Sequence, residues 1–454
     1  MSDLVGADRS IYDVAVLGGG AAGLVAAFRA AELGARVALL EKNRRPGVKI
    51  LMSGGTRCNI TNARGLRRLD AISGTIDPAY DRSLCRGTRT IQQAFGSGGP
   101  FLGPSLKALD VDRTVRLFEE EGVATKIEGN GKVFPMSDRA ADVLDALVRR
   151  VERSGAEIRC LSPALAVRRG LEGIDPNSGF TVTLPDGVLL ARRVILAMGG
   201  RSFPGCGTTG DGYAIAREFG HSIVDTRPAL VPLRSEERWV TELKGMTLPD
   251  VVASVWEVPP GRMLQDRREA VLFAHFGLTG PAILDVSRAV ARFQGQGSLE
   301  LRIDLLPDVP RESLDSRVQA ACRQGRRPIT SLIADLLPRR LADCVRERAG
   351  IPSERVGPEL SRHERKRLLD ALKQLTIPIS GALGFEKAEV TSGGIALDEV
   401  DPRTLESRLV PGLHLAGEVL DLDGLIGGYN FQAAWSTGWL SGEIVAERSR
   451  RAED

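Results

Sequence analysis

Residues 12–41, YDVAVLGGGAAGLVAAFRAAELGARVALLE, constrain what this chain can fold into more than any other stretch. They open on an apolar run, residues 14–17, with the composition of a buried parallel strand. Gly18-Gly19-Gly20-Ala21-Ala22-Gly23 then fits G-x-G-x-x-G, and the small, amphipathic residues 24–33 predict a helix. Gly34 stands where a C-terminal cap would close that helix. A second apolar run, residues 37–40, ends on Glu41. Strand, glycine turn, helix, strand and acid fall at the spacing of a dinucleotide-binding βαβ unit.

Each part of that unit has a physical task. Gly18 allows the tight turn, Gly20 lets the backbone approach a pyrophosphate, and Gly23 lets helix and strand pack closely. The unpaired N–H groups at the helix start receive negative charge. Glu41 is placed to accept hydrogen bonds from the ribose hydroxyls of an adenosine, which favours FAD or NAD over NADP.

The 454 residues suggest about three domains. Lys and Arg number 61 against 58 Asp and Glu, with 4 His, for a formal net charge of +3. That balance calls for neither nucleic acid nor an acidic membrane surface, and none is expected as a partner. Arg339-Arg340 and residues 362–367 are mixed with or flanked by acids and leucines, and read as solvated helix faces. The cysteines, at 58, 85, 160, 206, 322 and 344, form no C-x-x-C pair, which argues against zinc, a redox disulfide or a secreted framework. Residues 1–13 have no basic n-region or apolar h-region, and no apolar run is long enough to span a membrane. A soluble, cytoplasmic protein without a metal is expected.

After Glu41 a polar turn, residues 42–47, leads into VKILMSGGTRCNITN at 48–62. Backbone N–H groups around two glycines, with Arg57, Asn59 and Asn62, suit an extended cofactor that carries phosphates and polar ring edges, Cys58 lies among them, and the stretch is too rich in Gly and Asn for a buried helix. It resembles the S-G-G-G-R-C-N-x-T-N signature of a bacterial and archaeal family of FAD-containing oxidoreductases, the aminoacetone oxidase-like flavoproteins, which includes a bile-acid-reducing flavoenzyme. Thr56 stands where that signature has its third glycine, so its backbone is expected to avoid any conformation open to glycine alone.

Further along, residues 64–105 read as an irregular excursion with a short helix near 90–95. Residues 112–121 and 139–153 read as helices, the second capped from Ser137-Asp138. Residues 157–160 and 164–167 read as short strands, and Ala164 could present backbone to an adenine. Residues 194–200 form a strand ending on Gly199-Gly200, which lets the chain pass close under a nucleotide. No second G-x-G-x-x-G in a strand–turn–helix frame appears, so any nicotinamide donor would bind without a second Rossmann unit.

Residues 221–304 are β-prone runs between Pro and Gly turns, and 310–374 are helical and charged. AHFGLTGP at 274–281 matches a further family stretch, and His275 could face substrate as an acid or base, although a lone histidine among apolar residues is more often a hydrogen-bonded packing residue. The chain then returns with a strand ending on Gly417-Glu418 and the glycine-rich Gly427-Gly428-Tyr429-Asn430-Phe431, ahead of a small-residue helix over 433–445. A helix N-terminus there suits the flavin N1–O2 edge, where negative charge builds on reduction.

The fold class expected is α/β: a Rossmann-like FAD-binding domain of the glutathione-reductase type, interrupted by an insertion with a β-barrel-like part and a helical part. Its limits are 1–215 with 389–454 for the FAD domain, 216–308 with about 376–388 for the β part and 309–375 for the helical part. The resemblance, strongest at 12–62, 194–233, 271–284 and 388–442, implies the same interrupted arrangement and FAD bound non-covalently. The cofactor-binding set expected is Gly18, Gly20, Ala21, Ala22, Gly23, Glu41, Lys42, Arg57, Cys58, Asn59, Ala164, Gly199, Gly200, Gly417, Glu418, Gly427, Gly428, Asn430 and Phe431.

The function expected is hydride exchange between flavin N5 and a small or medium organic substrate, with NADH or NADPH as a transient donor. No catalytic acid or base is named, and Cys58 reads as a packing or hydrogen-bonding thiol. An FAD-stabilised protein that binds RNA or another protein is the alternative from a different class. An NAD dehydrogenase without flavin is a third, against which residues 417–432 speak. Substrate, electron donor and oligomeric state stay open.

Overall fold

β1 (Tyr12–Leu17) lies inside a parallel sheet, with β2 (Val37–Leu40) on one side and the strand Gly187–Leu196 on the other. The computed structural model that gives this arrangement describes residues 11–172 and 174–450; the stretch 1–10, read above for a signal sequence, lies outside them. Val14, Ala15, Val16 and Leu17 are fully buried, as an unbroken apolar strand covered on both faces must be. The strand order is Glu157–Arg159, β2, β1, Gly187–Leu196, Asp175–Leu184, Ala166–Leu171, and Leu413–Leu415 pairs in parallel with Gly187–Leu196. The last three strands of that order are an antiparallel meander.

α1 (Ala21–Glu32) follows β1 and buries a face of Ala, Leu, Val and Phe. Against it lies the C-terminal helix, which begins at Tyr429 directly behind Gly428, four residues earlier than residue 433, and runs to Arg450. A Cβ on Gly438 would come within 2.3 Å of Ala22 O, and one on Gly442 within 2.5 Å of Ala26 O. Glycines four apart therefore set how closely the two backbones approach. Gly34 takes φ +92° just past α1, as a left-handed C-terminal residue does.

Residues 64–105 run through short 3-10 turns, with the short helix at Thr88–Gln93 and another at Gly103–Ala108. Two expectations are corrected. The stretch 48–62 opens with a helix, α2 (Val48–Met52), of which Ile50 is buried. The helix Ala140–Arg153 has Arg139 at its N-cap with no side-chain hydrogen bond. Asp138 does not cap it, because Lys126 (2.5 Å) and Arg57 (3.3 Å) hold its carboxylate.

The chain divides into two compact units, one reaching to residue 227 and resuming at 389, the other 228–388. In the second, an antiparallel sheet runs in the order Leu375–Ile379, Ser298–Asp304, Thr247–Val258, Arg262–Ala274, Gly277–Thr279, Leu233–Arg234, Gly381–Ala382. Its first and last strands are separated in sequence by Ser380 alone, whose N–H donates to Arg234 O at 3.1 Å. The sheet thus closes on itself through 375–382, which is the β-barrel-like part. The helices Arg311–Arg323, Ile329–Ala334, Arg339–Arg348 and Arg362–Lys373 share a hydrophobic core with it.

Candidate functional site

The glycines of the first turn do different things. Gly18 takes φ +102°, and a Cβ there would stand 2.6 Å from Ala197 O. A Cβ on Gly23 would stand 1.9 Å from Gly18 O, so helix and strand touch at that point. Gly20 faces open space: an added Cβ would meet nothing within 4 Å. α1 begins on it at Ala21 and Ala22 with no side-chain cap and no acid in its first turn, so the positive end of the helix faces that space uncompensated. An anion such as a pyrophosphate fits there.

Glu41 is buried, with Oε2 accepting from Gly19 N–H and Oε1 from the N–H and Nδ2 of Asn43, each at 2.8 Å. Lys42 reaches across to Thr209 Oγ1 (2.7 Å) and Asp211 (2.6 Å). Ala164 lies in the segment whose Ser162 N–H donates to Glu41 O at 2.9 Å, which brings it alongside the end of β2.

Gly200 and Gly417-Glu418 meet in a network that the sequence reading missed. A Cβ on Gly200 would lie 2.3 Å from Thr391 Oγ1 and 3.0 Å from Glu418 Oε1. Glu418 Oε1 accepts from Ser202 Oγ and from Thr391 N–H, both at 2.8 Å, and Oε2 accepts from Lys49 Nζ at 2.6 Å. Lys49 also donates to Ser202 Oγ at 2.6 Å. Thr391 Oγ1 in turn accepts the N–H groups of Arg201 (2.8 Å) and Ser202 (3.1 Å), pinning the loop after Gly199.

The 53–62 loop meets the C-terminal helix start through Asn59 and Gly428. Assigned from its partners, the Asn59 amide accepts from Gly428 N–H at 2.9 Å and donates to Thr61 O (2.9 Å) and Val133 O (3.2 Å). Asn62 Nδ2 donates to Gly427 O at 2.8 Å. A Cβ on Gly428 would fall 2.4 Å from Thr61 O.

Other residues of the expected set have partners within the chain. Arg57 stacks 3.9 Å over the Phe134 ring and pairs with Glu128 at 2.6 Å. Asn430 closes its own loop, accepting from Gly424 N–H at 2.8 Å and donating to Gly424 O at 3.1 Å. Phe431 stacks on Trp435 with centroids 5.1 Å apart. Burial pushes the Cys58 thiol up to about 12, so it is no thiolate near neutral pH. Thr56 takes φ +70°, ψ +11°, a left-handed conformation that is costly for a β-branched residue but not open to glycine alone.

Two histidines bear on chemistry by their positions. His275 stands exposed in the turn between Arg262–Ala274 and Gly277–Thr279, edge-on to Phe276 at 4.9 Å. His221 bridges Glu399 (2.9 Å) and Ser407 Oγ (2.8 Å), the connectivity of a hydrolase triad. All the same, Ser407 is buried and its oxygen accepts the N–H groups of Leu409 (3.0 Å) and Val410 (2.9 Å), so it clips a loop and offers no exposed nucleophile.

The model for the HI0933-like protein Rossmann domain matches residues 12–75 and 83–444. The chain is 32% identical to the ribosomal RNA dihydrouridine synthase of Escherichia coli (strain K12), over 96% of this chain and 99% of that one. It is also 32% identical to the 3-dehydro-bile acid delta(4,6)-reductase of Clostridium scindens, again over 96% and 99%. The fold resembles a 3-ketosteroid delta1-dehydrogenase from Sterolibacterium denitrificans, with a TM-score of 0.51 and 12% identity over 96% of this chain and 100% of that one.

The RNA-acting relative overturns the expectation that nucleic acid has no place among the partners. The inference from charge averages over the whole chain, whereas residues 311–373 carry 15 Lys and Arg against 9 Asp and Glu. Among the described residues no helix is long and apolar enough to cross a membrane. With its family model covering the glycine turn, the Asn59 loop and the Gly417–Gly428 return together, the chain belongs to the HI0933-like family of FAD-dependent Rossmann oxidoreductases.

Proposed function

We propose that the protein reduces a carbon–carbon double bond conjugated to a carbonyl, with NADH or NADPH as donor and the uracil ring of an RNA as substrate. One observation carries this reading. The two relatives at 32% identity act on an RNA base and on a bile acid, and what their names share is saturation of such a bond. The basic stretch 311–373 favours RNA over a free small molecule, because phosphates contribute much of any protein's affinity for RNA. Reduction with turnover also separates this reading from an FAD-stabilised RNA-binding protein.

In this reading the amides at the start of α1, beside Gly20, hold the pyrophosphate, and Glu41 accepts from the adenosine ribose. The start of the helix Tyr429–Arg450 turns its positive end toward the ring, with Asn59 and Gly428 fixing the approach of the 53–62 loop. FAD bound there supplies the hydride chemistry. The free cysteines at 58, 85, 160, 206, 322 and 344 accord with a reducing compartment, and we place the protein in the cytoplasm.

The test is anaerobic reduction of the FAD-loaded protein by NADH or NADPH, followed by ribosomal RNA stripped of dihydrouridine. Reoxidation of the flavin with a gain of two hydrogens on a uridine supports the proposal. Reoxidation by a simple enone but not by RNA would make it a small-molecule reductase, and reoxidation by neither would sink it.

A further inference from the structure

Lys49 is a lone charge in the apolar helix Val48–Met52, and its ammonium closes a ring with Ser202 and Glu418. That ring lies beside the glycine turn. Gly47, two residues before Lys49, donates its N–H to Gly19 O at 2.8 Å. Gly417, just before Glu418, is so close to α1 that an added Cβ would stand 2.8 Å from Ala22 Cβ. The Glu418 carboxylate accepts three hydrogen bonds, whereas the three-proton ammonium of Lys49 makes two. A bare carboxylate here would oppose the anion that the start of α1 attracts, and a paired one would not.

We propose that Lys49 is the counter-charge of the cofactor cradle: it cancels Glu418 and turns its remaining N–H to the bound dinucleotide. Ser202 and Thr391 are positioning residues that hold Glu418 on Lys49. This inference rests on the reading that the cradle holds FAD.

The test is FAD titration of the apoprotein by flavin fluorescence, on the wild type, K49M, E418Q and the double variant K49M/E418Q. The single variant K49M leaves a carboxylate unpaired and should weaken FAD binding by about tenfold or more. The double variant should recover most of that loss, because the unpaired charge is gone. FAD binding by K49M equal to the wild type, or a double variant no tighter than K49M, overturns the proposal. Should K49M fail to fold, E418Q decides. Its unopposed ammonium should move the flavin midpoint potential in the positive direction, and an unmoved or more negative potential overturns the proposal. A wild-type protein that takes up no FAD overturns the cradle reading itself.

Discussion

Gly428 donates its N–H to Asn59 Oδ1 at 2.9 Å, tying the loop after α2 to the first turn of the C-terminal helix. The same amide spends its protons on Thr61 O and Val133 O, so one buried side chain satisfies three backbone groups. Asn59→Ala should therefore destabilise the protein by about 1–3 kcal/mol, since Gly428 N–H and Thr61 O lose this partner, whereas Val133 O keeps the Ile60 N–H at 2.8 Å. FAD affinity should fall with it, because the helix start loses its anchor. Urea unfolding and FAD titration of the variant check both, and an unchanged midpoint would count against the assigned amide orientation.

Gly438 offers a contest between two effects of opposite sign. In a free helix Gly→Ala stabilises by about 1 kcal/mol. Here the new Cβ would lie 2.3 Å from Ala22 O, a backbone atom that cannot turn aside. Overpacking should win, with a net loss of about 1–3 kcal/mol. Ala22 is the second residue of α1, so the displacement reaches the anion-binding helix start and FAD binding should weaken too. A stabilised G438A in thermal melting would refute the close packing of the two helices.

The glycine turn is legible in the sequence because its pattern is local: the strand Tyr12–Leu17 and the helix Ala21–Glu32 flank Gly18-Gly19-Gly20, although Gly18 also packs against the distant Ala197 O. Lys49 is not, because its partners Ser202 and Glu418 are 153 and 369 residues away and nothing local marks them. Its one signal is a single charge inside an apolar helix. Arg57 and Asn430 show the reverse case. Their residue types suit a cofactor, but Glu128 and the Gly424 backbone satisfy them first. The ends of the barrel-like sheet were hidden for a similar reason, since strands as short as Gly381–Ala382 have no periodicity to read.

Thr56 sits in a left-handed run, with Gly54 at φ +56°, Gly55 at +66° and Thr56 itself at +70°. For a β-branched residue that conformation costs about 1–2 kcal/mol, and its hydroxyl bonds only to Gly55 O, at 2.6 Å. Thr56→Gly relieves the strain but gives the unfolded chain more freedom. The net should be stabilisation by about 0.5–1 kcal/mol, measured by urea unfolding. A destabilised variant would mean that the strain is relieved elsewhere in the loop.

His414 is fully buried, and burial holds its imidazole down at about 4 against an ordinary value of 6.5. Nδ1 donates to Thr404 O at 3.0 Å, whereas Nε2 has no partner among the described residues, as suits a neutral ring. Between these two values the unfolded chain takes up a proton that the folded chain refuses. Stability should therefore fall as pH drops from about 6.5 to about 4, by at most about 1.4 kcal/mol per unit. His414→Leu removes that term. It should be less stable than the wild type near neutrality by about 1 kcal/mol, for the lost bond to Thr404. The gap should then narrow steadily as pH falls below 6.5 and can reverse, because only the wild type still has to keep a proton off. Urea unfolding across that range gives the two slopes, and parallel ones would show that His414 is not the group that sets the acid limb.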